Sequence, residues 1–289
     1  MTRGDRRLNW PLAGTSWLGR LLVCGLLLKI GLCGPTPTLA GPFSEYYVSQ
    51  FGQIAVLQGD EVVRTWLPQT GTSGAFAIAV RDTVETFSTV PGGLGAEYSL
   101  SGTPTETTYR NTAPATQFFD GATDGSSNYA WDFSNGAVYR FSAEWSNPEV
   151  LFTLGTDDGS RIGITFDRSN DTLWLSGWSG TVGTLVENRA LDGSLLASFS
   201  TGHPMNTGLA LDPADDTLWL LDRGSLVEPE GLRFEQFSKS GTLLQSVRYP
   251  SLRRVNTHGG EFQIISEPAT EVLAYLAIPF FLIAATRRR

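Results

Sequence analysis

GITFDRSNDTLWLS, residues 163–176, and GLALDPADDTLWLLD, residues 208–222, are two copies of one pattern whose first glycines, Gly163 and Gly208, lie 45 residues apart. Each reads as a short strand ending in aspartate, a turn, and a second strand with tryptophan near its centre. A looser copy, QFFDGATDGSSNYAWDF, occupies residues 117–133, and its Trp131 precedes Trp174 by 43 residues. The turns are read at Asp120–Asp124, Asp167–Asp171 and Asp212–Asp216. Aspartate suits them because its carboxylate accepts nearby backbone N–H groups and the residue tolerates a left-handed backbone.

Each hairpin is followed by a second pair of alternating runs: AVYRFSAEWSNPEVLFTL (137–154), TLVENRALDGSLLASFS (184–200) and LRFEQFSKSGTLLQSV (232–247). In the last two, DGS and SGT sit between β-rich runs, the usual place of a tight turn. The unit is four antiparallel strands in about 45 residues, the size of one β-propeller blade. AFAIAVRDTVETFSTV (75–90) and GAEYSLSGTPTETTYR (95–110) make a divergent fourth unit. EYYVSQ, QIAVLQG and VVRTW (45–66) supply three strands, and EFQII from residue 261 supplies the missing one. Pairing the two ends of the chain closes the ring and leaves no open sheet edge. The expected fold is an all-β propeller of five blades over residues 41–264, with six blades as the alternative.

Composition agrees: 32 glycines, 11% aromatic and 17% charged residues in a chain of 289 favour strands and turns over long surface helices. The formal charge is −8, with basic residues gathered at the two ends. Between residues 41 and 268 there are 13 basic and 27 acidic side chains. Such a middle repels phosphate, so nucleic acid is excluded as a partner.

Residues 1–40 read as a secretory signal peptide: a basic opening, the apolar run LLVCGLLLKIGLCG (21–34), and small residues Thr38 and Ala40 before Gly41. Both cysteines, Cys24 and Cys33, fall inside it, preceded by Val23 and Leu32 where a lipoprotein would need small residues. The processed chain is then free of thiols, so disulfides and cysteine nucleophiles are excluded. At the other end, residues 265–289 place Glu267-Pro268 before the apolar run Val272–Ala285 and end in Arg287, Arg288 and Arg289. At ~1.5 Å per residue that run is about 21 Å long as a helix, short for a bilayer core of about 30 Å. Terminal arginines stay cytoplasmic while the preceding chain is exported.

Glu267, Pro268 and the continuation Ala269-Thr270, with the apolar helix and arginine cluster, resemble the PEP-CTERM sorting tail. Ser266 stands where that motif has its first proline. The resemblance implies Sec export and signal peptidase cleavage, then transient anchoring by the helix. An exosortase-type membrane protease would act next, releasing the protein to the cell surface or matrix in exopolysaccharide or biofilm settings. The partner expected there is a polysaccharide or a surface protein. The hairpin repeats resemble the NHL, SMP-30 and YncE-like propellers, whose D-P-x-x-x-x-L-W pattern recurs at Asp212–Trp219; that group hosts binders and enzymes alike.

In a propeller, the loops entering the innermost strands converge on one face. Here they are GTDDGSRIG (155–163), STGHPMNTG (200–208) and VNTHGG (255–260). They offer Asp157, Asp158, Arg161, His203, Asn206, Asn256 and His258 as candidate ligand-binding residues, with both histidines expected on one face within reach of one ligand. These loops contain no glutamate, and neither a nucleophile elbow nor a HExxH motif appears. No cofactor and no catalytic residue is therefore assigned, and any metal stays open. The leading expectation is a noncatalytic binding or structural propeller. The alternative is an exported metal-dependent hydrolase or lactonase.

Overall fold

The computed structural model describes residues 41–114, 117–222, 231–252 and 257–264. The signal peptide, the sorting tail and Asn256 lie outside the described residues. The architecture is all-β, with five four-stranded antiparallel blades and, among the described residues, one 3₁₀ turn at Gly180–Val182. Among the described residues, no helix is long and apolar enough to cross a membrane.

The first blade joins both ends of the propeller: β1 (Tyr46–Gln50), β2 (Gln53–Gln58) and β3 (Glu61–Trp66) extend outward from β20 (Thr257–Phe262). The second runs β4 (Ala75–Val80), β5 (Thr83–Ser88), β6 (Leu94–Ser99) and β7 (Pro104–Arg110). The third is β8 (Phe118–Thr123), β9 (Ser127–Asp132), β10 (Ala137–Ser142) and β11 (Glu149–Thr153). The fourth is β12 (Arg161–Asp167), β13 (Thr172–Gly177), β14 (Leu185–Ala190) and β15 (Leu195–Ser200). The fifth is β16 (Asn206–Asp212), β17 (Thr217–Asp222), β18 (Leu232–Phe237) and β19 (Leu243–Tyr249). The five-blade expectation holds, including closure by pairing the two ends: Tyr46 stands opposite Phe262 and Val48 opposite Gly260.

The core is divided among the blade interfaces. Trp131 of the third blade packs with Ile164 and Phe166 of the fourth, Trp174 with Leu209 of the fifth, and Trp219 with Tyr46 and Val48 of the first. Tyr47 and Val56 meet Ile78 and Tyr98 between the first and second blades, while Phe87 stacks on Trp145 between the second and third. Because inner and second strands are covered on both faces, β4, β9, β12, β13 and β17 are buried along their whole length, whereas the outer strand β3 alternates in exposure. A tryptophan buried in such an interface is worth about 3–5 kcal/mol against alanine.

The turn reading holds for two hairpins and fails for the third. Asp167 accepts the Ser169 N–H at 3.1 Å and Asp212 accepts the Ala214 N–H at 2.9 Å. Asp171 and Asp216 close those turns with φ of 54° and 59°. In the third blade the turn belongs to Asp124, whose Oδ1 accepts the N–H groups of Ser126 and Ser127, both at 2.7 Å. Asp120 is instead a fully buried residue inside β8. The spacing that suggested a turn residue is fortuitous, and three of its four backbone partners are remote in sequence.

All five innermost strands break register with their neighbours near their starts, at Ala75/Ala77, Phe118/Gly121, Arg161/Gly163, Thr207/Ala210 and opposite Ser49/Gln50. Such bulges interrupt the ladder and re-aim what lies beside them. The inner strands converge so closely that a Cβ on Gly259 would collide with the Phe76 carbonyl, which explains the Gly-Gly pair of β20.

Candidate functional site

The loop before β12 and the loop before β16 place the expected residues on the rims of the fourth and fifth blades. Asp157 is exposed. Arg161 is not a loop residue reaching for solvent; it opens β12, is 1% exposed, and lies 5.5 Å above the Trp131 ring. Its Nε donates to Glu187 Oε2 at 2.6 Å, and its Nη2 stands 3.2 Å from Asp158. Arg189 adds a second guanidinium to Glu187 at 3.0 Å. Burial pushes the Glu187 carboxyl up, but the two arginines prevail and hold it below the usual carboxylate range.

The fifth blade carries the counterpart. Glu187 faces Leu175 across its ladder, and Glu235 faces Leu220, the residue 45 positions later in the repeat. Where Glu187 meets Arg161, Glu235 meets His203, with Nε2 and Oε2 2.6 Å apart. Arg233 Nη2 pairs with Asp222 Oδ2, and Arg233 Nε stands 3.5 Å from Glu235 Oε1. Asp222 and Glu235 are buried, while the His203 side chain is 30% exposed. The ligand atoms of His203, Asp222 and Glu235 all lie within 4.8 Å of one another. Asn206 braces the loop from below, donating to the carbonyl of His203 and to Thr201 Oγ1, both at 3.1 Å.

His258 lies inside β20, buried, with its ring 5.0 Å from Phe76 and 4.7 Å from Phe119. It is therefore an axial packing residue, and it takes its place through the bulge that adds one residue to β20 between Thr257 and Gly259. The two histidines have different surroundings: ionic for His203 and aromatic for His258.

Asp120 occupies the axis itself. Its Oδ1 accepts the N–H groups of Gly121 and Gly260, each at 2.9 Å, and its Oδ2 those of Ile164 at 3.0 Å and Leu209 at 3.1 Å. These donors come from β8, β20, β12 and β16, so one carboxylate ties together the inner strands of four blades. Burial pushes the Asp120 carboxyl well up, with the four donors pulling the other way. Glu261, also fully buried, is pushed up by burial and then by the Asp120 charge. Glu261 forms part of a cavity of about 360 Å³ where the inner strands end, walled by Phe166, Leu211, Phe262 and Arg168. That cavity lies opposite the loops that the sequence pointed to.

Sequence reasoning missed Asp120, Glu187, Asp222, Arg233 and Glu235. The glutamates had one legible signal, an acidic residue within an otherwise strand-like run in both LVENRA and LRFEQF.

No protein-family model matches the chain, and no curated protein matches its sequence. Among solved structures it is similar to a chain from a nidogen–laminin complex, with TM-score 0.51 and 13% identity over 75% of this chain and 97% of that one. A Bacteroides caccae protein of unknown function gives TM-score 0.44 and 11% identity, covering 71% of this chain and 73% of that one. Streptogramin B lyase gives 0.43 and 14%, covering 79% and 74%. At such identities the likeness shows the β-propeller fold alone.

Proposed function

We propose that the chain is an exported, noncatalytic binding or structural propeller, sorted to the cell surface or extracellular matrix by an exosortase-type protease after signal peptidase cleavage. The observation that carries the noncatalytic part is the state of the axis. A catalytic carboxylate must reach a substrate or a metal, yet fully buried Asp120 directs both oxygens to backbone N–H groups of four inner strands. An axis built this way supports architecture and leaves the rims for partners. The sorting part rests on the leader 1–40, the Glu267-Pro268 pair and the terminal arginines. A polysaccharide or a surface protein is the partner this reading assigns.

Intact mass of the protein recovered from the cell surface tests the reading. The expected mass lacks residues 1–40 and everything beyond the Glu267-Pro268 region. A surface form that retains Arg287–Arg289 would overturn the processing. Lactone or ester turnover by the full chain with added divalent metal, abolished by His203→Ala, would overturn the noncatalytic assignment and favour the exported hydrolase.

A further inference from the structure

We propose that His203, Asp222 and Glu235 form a binding site for one divalent transition-metal ion of the zinc class. The three side chains come from separate elements of the fifth blade: the loop before β16, the end of β17 and the middle of β18. Their ligand atoms already lie within 4.8 Å of one another. One imidazole nitrogen and two carboxylate oxygens suit zinc, cobalt or nickel better than calcium or magnesium, which favour all-oxygen shells.

The fourth blade supplies an independent argument. At the same register position Glu187 is held by Arg161 and Arg189, a set that is complete without any ligand because guanidinium groups do not coordinate. In the fifth blade the residue aligned with Arg161 is Asn206, and Glu235 is met instead by the His203 imidazole from the preceding loop, with a second buried carboxylate, Asp222, joining the cluster. The partner of the buried glutamate is thus a group that can ligate where the fourth blade has one that can only donate. Arg233 then acts as the outer support: it pairs with Asp222 through Oδ2 and approaches Glu235 at Oε1, while Glu235 Oε2 turns to His203. A guanidinium that hydrogen-bonds a ligating carboxylate from its outer side fixes the carboxylate's orientation.

The His203–Glu235 hydrogen bond of 2.6 Å must open for an ion to enter. The metal replaces the hydrogen bridging Nε2 and Oε2, and any proton displaced leaves to solvent. His203 can make that movement because it sits on a loop and is 30% exposed. Three protein ligands leave a coordination position open for water or for an oxygen of a bound partner. The site does not depend on the sorting route and survives its failure.

The test uses the full-length chain carrying Cys24→Ser and Cys33→Ser, so that leader thiols contribute no metal binding. Zinc is titrated calorimetrically, and cobalt is followed by its visible absorption. One saturable site per chain is expected. His203→Ala and Glu235→Gln should each weaken it by at least about 10-fold, the scale on which metal-site residues act. Asp158→Asn, in the equivalent loop of the fourth blade, should leave it unchanged. Absence of saturable binding, or equal affinity in the parent and His203→Ala, overturns the proposal and leaves the cluster as an ion-pair clamp. His203→Ala alone is decisive if Glu235→Gln does not fold.

Discussion

Asp120 at the axis and Glu235 at the rim are both buried carboxylates, yet they are held by opposite means. Asp120 accepts from four backbone N–H groups, drawn from four strands that cannot move without unmaking the ring. Glu235 is held by side chains, one of them a histidine on a loop. Glu187 stands between the two, clamped by Arg161 and Arg189. The gradation separates acids that define the fold from an acid that can change its partner. Backbone donors are fixed once the strands pair, whereas side-chain donors reorganise at the cost of a few rotamers.

The largest expected effect comes from breaking the axial end of this series. Asp120→Ala leaves four buried N–H groups without an acceptor, at about 1–3 kcal/mol each, a total comparable to the roughly 5–15 kcal/mol that holds a domain folded. No cooperative unfolding transition is expected for this variant by circular dichroism. Asp120→Asn preserves the shape but turns an amide donor toward two of those N–H groups, and it should fold with a sharply lowered midpoint. A variant that melts like the parent would remove Asp120 from its architectural role.

The next effects compare the two rims. Arg161→Ala takes one of two guanidinium groups from buried Glu187, leaving Arg189, and should cost about 2–3 kcal/mol in urea unfolding, short of the roughly 3–5 kcal/mol of a fully stranded buried charge. His203→Ala removes a partly exposed partner and should cost less than about 1 kcal/mol. Equal losses would mean that the fifth-blade cluster is as structural as the fourth. The expected difference between them is what makes His203 available to a ligand.

The blades were legible in the sequence because they repeat locally. Trp131, Trp174 and Trp219 keep near-constant spacing, and Asp167 and Asp212 act within their own hairpins. The axis was not legible for the converse reason. Asp120 sits in a five-residue spacing that imitates those hairpins, while Ile164, Leu209 and Gly260 lie 44, 89 and 140 residues away. The bulges that aim those N–H groups inward follow from ring closure, which no local pattern encodes. At the rims, the loops point to His203, Arg161 and Asp158, but the buried partners Glu187 and Glu235 stand on third strands, where a lone glutamate reads as a solvated face. VNTHGG reads as a loop and so puts His258 in one, but the closing strand begins at Thr257, and the glycines are there for close approach.

The smallest expected effect is a slope. Glu261 is pushed up by burial and by Asp120, so the folded state binds its proton more tightly than the unfolded chain does. The stability tied to this group is fully present below the unfolded glutamate value of about 4.3 and is lost as pH rises through the higher folded value. Glu187 has the opposite sign: its folded value is lowered, so its contribution is present above about 4.3 and fails as pH falls through the folded value. Glu261→Gln mimics the protonated acid and should leave stability near pH 5 almost unchanged, while flattening its decline on the alkaline side. Glu187→Gln should instead remove stability at neutral pH and flatten the acid limb. Urea midpoints measured from pH 4 to pH 9 read both limbs at once. If Glu261→Gln altered the acid limb instead, the Glu261 carboxyl would be ionised in the folded chain and its upward displacement by burial and Asp120 would be overturned.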